Sequence, residues 1–91
     1  MNIDGDTKFA VSGDVLFQEV SGETVLLDLN SESYFGLDEV GTRVWQLLSG
    51  GNSVAAMLDV LLNEYDVERE QLEMDVEELL NSLIEAGLIT V

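Results

Sequence analysis

A chain of 91 residues supports one small domain, and its 46% hydrophobic and 24% charged residues give it the apolar mass to fold rather than stay disordered. It contains no Cys and no His, which excludes disulfide scaffolds, thiolate zinc sites and every triad or metal site built on imidazole. Only Lys8, Arg43 and Arg69 stand against 19 carboxylates, a net charge of -16 that repels the phosphate backbone, so no nucleic-acid partner is expected.

Residues 1–13 are polar, with Gly5 and Gly13 and only Phe9, Ala10 and Val11 apolar enough for a short strand. They read as a flexible N-terminal arm ahead of a domain over residues 14–91. The stretch Asn2-Ile3-Asp4-Gly5-Asp6 lacks the spacing and closing Glu of a calcium loop, so no metal site is expected. Two apolar runs, residues 15–20 and 23–29, flank Ser21-Gly22, the pattern of a hairpin whose tight turn requires positive φ. Asn30-Ser31-Glu32 is a second turn, and residues 33–37, with Tyr34 and Phe35, form a third strand.

Asp38 is placed to cap a helix in which Val40, Val44, Leu47 and Leu48 share one face, with Trp45 beside them, up to Gly50-Gly51. Asn52 or Ser53 caps a second helix, with Val54, Met57, Leu58, Leu61, Leu62 and Tyr65 on its apolar face. The acidic stretch 66–70 opens a third, whose stripe is Leu72, Val76, Leu79, Leu80 and Leu83 and whose stop is Gly87. Residues 88–91 are a short strand-like tail that packs down. The sum is an α+β domain, a three-stranded antiparallel sheet followed by three helices gathered on one side of it. No apolar run reaches the length of a membrane span and no basic-apolar signal opens the chain, so the expectation is a cytoplasmic protein with no membrane partner.

Little in this pattern supports catalysis. Glu73, Asp75, Glu77 and Glu78 spread around the polar surface of the third helix, a solvated acidic face without the concave apolar wall that a catalytic pair needs. The Ser and Thr residues have no base to activate them. Gly50-Gly51 has neither the Lys nor the preceding strand of a phosphate loop, and Ser82, the one serine in a carrier-like tripeptide, lies inside a helix. No cofactor is therefore expected. What remains is a recognition surface: residues 33–37 fall at a sheet margin, and a strand there either accepts a peptide as an added strand or simply divides Tyr34 and Phe35 between surface and core.

The series Val25-Leu26-Leu27-Asp28-Leu29-Asn30, Tyr34-Phe35-Gly36-Leu37-Asp38-Glu39-Val40-Gly41, Val44-Trp45-Gln46-Leu47-Leu48, Glu64-Tyr65-Asp66-Val67, Asp75-Val76-Glu77-Glu78-Leu79-Leu80 and Glu85-Ala86-Gly87-Leu88 resembles the PqqD family, named for the pyrroloquinoline quinone biosynthesis chaperone. Its stand-alone lasso-peptide members are the most similar in order and spacing, over residues 15–91. The resemblance implies a winged-helix-like RiPP recognition element, a non-catalytic chaperone that binds the leader of a ribosomally made precursor. Such a domain presents the precursor to a modifying enzyme: a leader protease, a cyclase or a radical enzyme. It also implies that the leader adds beside Tyr34, Phe35, Gly36 and Leu37 and lies against Asp75, Val76, Leu79 and Leu83, with Ser82 on the flank. Family members often carry Asn where Asp38 stands, and Asp caps a helix as Asn does. The competing function class is an acidic interaction module or DNA mimic that meets a basic protein through its carboxylates. A carrier or small enzyme is the third.

Overall fold

Ser21 and Gly22 take φ of 54° and 82°, the backbone of a two-residue turn whose twist matches that of paired strands. On either side of it β2 (Val15–Val20) and β3 (Glu23–Asp28) pair antiparallel, and β4 (Ser33–Leu37) returns along β3, giving the order β2-β3-β4. Before them lies β1 (Ala10–Val11); after them come α1 (Glu39–Ser49), α2 (Val54–Glu64), α3 (Arg69–Glu85) and β5 (Ile89–Thr90). This computed structural model describes residues 3–91.

Alternation decides which face of the sheet meets the helices. Thr24 and Leu26 on β3 are buried, and their cross-strand partners on β4 are Leu37 and Phe35, so these point into the core. Leu26 and Leu37 pack with Val44, Trp45 and Leu48 of α1, Met57, Leu58 and Leu61 of α2, and Val76, Leu80 and Leu83 of α3. One polar pair is buried here: the Thr24 and Thr42 hydroxyls lie 2.8 Å apart in a hydrogen bond that ties β3 to α1 without leaving either group unsatisfied.

The helix ends follow from their local residues. Asp38 accepts from the Gly41 N–H at 2.8 Å and Ser53 from the Ala56 N–H at 3.2 Å. Gly87, at φ 74°, closes α3: its N–H donates to the Ile84 carbonyl and that of Leu88 to the Leu83 carbonyl, both at 3.0 Å. Outside the core, Arg43 holds Glu64 through both its Nε and its Nη2, and donates through Nη1 to Gln46, which in turn reaches Glu19 on β2. The hydrogen bond from Arg43 holds the Glu64 carboxyl below the usual carboxylate range.

The structure corrects the reading of residues 1–13 as a loose arm. Phe9 is buried, β1 pairs with β5 in a second sheet, and Ser12 binds the end of α3 through the carbonyls of Leu88 and Gly87. The carbonyls of Gly5 and Thr7 accept the N–H groups of Ala55 and Val54, which would otherwise be unpaired in the first turn of α2. The physical reason is that a polar segment pays its ordering cost here through backbone groups, which composition does not display. Met1 and Asn2 of that segment lie outside the described residues. A smaller difference is the end of β3 at Asp28, one residue short of the expected run, with Leu29 half exposed.

Candidate peptide-binding site

Among the described residues, the sheet order leaves one side of β4 without a neighbour. In an antiparallel pair alternate residues direct both backbone groups to one partner, so every second residue of β4 turns its N–H and C=O away from β3. Tyr34 and Gly36 carry the outer face of this strand; Tyr34 is 74% exposed, and a Cβ built on Gly36 meets nothing within 4 Å. Packing therefore does not require glycine at position 36.

Beside this open edge lies a groove of about 450 Å³ between β4 and α3, closed at one end by α1. Gly36 and Leu37 form the strand side, and Asp75, Val76 and Leu79 the opposite wall. Val40, Gly41 and Val44 supply the end, with Asp38 at the corner. Gly41 allows α1 to come so near: a Cβ there would sit 3.2 Å from the Asp38 carboxylate and 3.3 Å from the Leu37 Cβ. The floor is apolar, because Leu37, Val44 and Val76 are nearly inaccessible and belong to the core. Two carboxylates mark the rim. Asp38 is engaged by the helix it caps, and Asp75 accepts from the Gln71 side chain at 3.0 Å. No Lys or Arg lines the groove, so it suits an apolar side chain flanked by N–H groups or a cation.

Five of the nine residues expected to contact a peptide thus meet around one groove: Gly36, Leu37, Asp75, Val76 and Leu79. Phe35 is half-buried beneath β4, and Ser82 is half-buried one turn beyond Leu79, on the line that carries Asp75. Leu83 is a correction. It is fully buried in the core and, unlike Val76, does not line the groove. Of the two margins of α3, the one with Asp75 faces β4; Glu73 and Glu77 border a separate shallow depression with Glu70 and Met74. The contribution of α1 was missed. Val44 belongs to a helical stripe and reads as core alone, and the only available hint was a Gly at 41, just after the cap.

A family model described as Coenzyme PQQ synthesis protein D (PqqD) matches residues 23–89. The chain belongs to the PqqD family. Among curated relatives, the PqqA binding protein of Rhodopseudomonas palustris strain HaA2 is 32% identical over 62 residues, covering 68% of this chain and 61% of that protein. The counterpart from strain BisB5 is 31% identical over the same shares. This chain therefore spans about three fifths of the length of these relatives. Two solved structures are similar throughout. TbiB1 in complex with the TbiA(beta) leader peptide is 36% identical with a TM-score of 0.83, covering 88% of this chain and 93% of that one. Lasso peptide synthetase B1 complexed with the leader peptide is 30% identical with a TM-score of 0.85, covering 93% and 100%. The α+β arrangement of a three-stranded antiparallel sheet followed by three helices is shared with both.

Proposed function

We propose that this PqqD-family chain binds the leader of a ribosomally synthesised precursor peptide as a fourth strand against β4 and presents it to a modifying enzyme, making and breaking no bonds itself. The observation that carries this reading is the coincidence of an unpaired strand edge with an apolar groove that runs beside it. Backbone pairing sets the register of an added strand, and alternate leader side chains reach Leu37, Val76 and Leu79 in the groove. Two structural relatives are described as bound to a leader peptide, which supports the same assignment. The role is one of proximity, raising the local concentration of the precursor at the enzyme. It places the protein in the cytoplasm, where precursors are made; among the described residues no helix is long and apolar enough to cross a membrane.

The test is a titration of isotope-labelled protein with the leader of its own precursor, followed by amide shifts. Changes are expected along residues 33–37 and 75–79. Methylating every second leader amide on the set that faces β4 should abolish binding, while methylating the other set should not. Shifts confined to α2, or equal tolerance of both methylation patterns, contradict strand addition.

A further inference from the structure

The face of the sheet turned away from the helices is apolar, and among the described residues nothing covers it. Cross-strand register aligns Leu16, Leu27 and Tyr34 in one row over all three strands, with Val25 beside it and Val20 towards the hairpin. Leu16, Val20, Val25 and Tyr34 are between 46% and 74% exposed. Neither strand margin carries Lys or Pro, the usual devices that keep an open sheet from pairing or sticking. A contiguous apolar face of this kind on a protein of this size marks an interaction surface.

We propose that this outer face is the docking surface for the enzyme that acts on the presented precursor, and that the enzyme meets it with an apolar patch bounded by Lys and Arg. The inference rests on the leader-binding reading above. Continuity supplies the first argument: a strand added to β4 prolongs the Leu16–Leu27–Tyr34 row, so the leader's outward side chains join the same surface. An enzyme seated there touches protein and leader together, and so distinguishes the loaded form from the empty one. Charge supplies the second. Residues 15–37 hold no cation; of their carboxylates Glu23 alternates onto the outer face with Val25 and Leu27 and Glu32 lies in the turn before β4, while Glu19 and Asp28 share the register of buried Thr24 and Leu26 on the helix side. Lys8, Arg43 and Arg69 lie outside this segment; Arg43 is engaged by Glu64, and Arg69 by Asp59 and Glu73. A second copy would bring carboxylates against carboxylates at a total charge of -16 per chain, whereas a basic rim is attracted.

The experiment uses the full chain, its precursor leader and the purified enzyme that processes that precursor. The variant is Leu16→Ser with Val20→Ser, on β2, about 10 Å from the β4 edge by strand spacing. With the melting curve as a check on folding, leader affinity should stay within about twofold, while affinity of the leader-loaded protein for the enzyme should fall at least about tenfold. Wild-type affinity for the enzyme should also drop as salt rises. Enzyme binding that ignores the double substitution overturns the proposal, as does wild-type protein that binds leader but not enzyme. Wild-type dimers that the double variant abolishes assign the face to a second copy instead. A leader that fails to bind at all removes the proposed function, and this inference with it.

Discussion

Asp75 and Leu80 stand five residues apart on α3 and serve different ends. Asp75 is exposed at the groove rim, with one carboxylate oxygen held by Gln71; Leu80 is wholly inside. Replacing Asp75 with Ala should weaken leader binding by about 1 kcal/mol, the scale of one hydrogen bond, and leave the melting temperature nearly unchanged. Replacing Leu80 with Ala should lower stability by about 2–5 kcal/mol through lost burial and the cavity left behind. A melt and a leader titration on both variants separate the two roles; an Asp75→Ala protein that melts early yet binds normally would show that the carboxylate serves folding. Asp38 combines both functions, since it caps α1 and borders the groove, so Asp38→Ala should cost about 1 kcal/mol of stability and also loosen binding.

The short strands at the two ends of the chain act as one element. Ala10 pairs with Thr90 and Val11 with Ile89, so residues 80 and 78 positions apart close the domain, and Phe9 beside them enters the core. Phe9→Ala should therefore destabilise by about 3–5 kcal/mol, measured by chemical denaturation, although it lies in a segment that looks dispensable. Gly87 directs the chain from α3 into β5. A Cβ there meets nothing within 4 Å, so the penalty for Gly87→Ala comes from φ alone, about 1–2 kcal/mol. An unchanged melting temperature would show that the backbone relaxes out of the left-handed region.

Charge acts on the molecule as a whole. At -16 the carboxylates repel one another, so added salt should raise the melting temperature by screening, while it slows association with any cationic partner. Against this background Glu64 is attracted rather than repelled. The hydrogen bond from Arg43 depresses its folded pKa, so its stabilisation is present above the ordinary glutamate value and disappears as pH falls through the folded one. Glu64→Gln isolates that contribution: its melting deficit relative to wild type should be largest at neutral pH and vanish in acid. Both side chains are about a third exposed, which keeps the deficit small.

Much of this architecture is written in local pattern. Helical repeats of three and four residues, the Asp38 cap, a second cap narrowed to Asn52 or Ser53, the Ser21-Gly22 turn and the Gly87 stop each depend on neighbours within a turn or so, and each is legible in the residues themselves; the folded chain chose Ser53. The absence of His and Cys and the scarcity of cations likewise bound the chemistry whatever the fold. Tertiary structure decided what distance along the chain conceals. The groove joins the end of β4 and the start of α1 to Asp75, Val76 and Leu79, and nothing local to α1 shows that its first turn takes part. Leu79 and Leu83 belong to one apolar stripe, yet only the tertiary packing of α3 leaves Leu79 at the groove and Leu83 in the core. The first residues join the fold through carbonyls offered to α2 and a ladder shared with the last strand, because every residue carries those backbone groups and only the folded chain reveals which of them are paired.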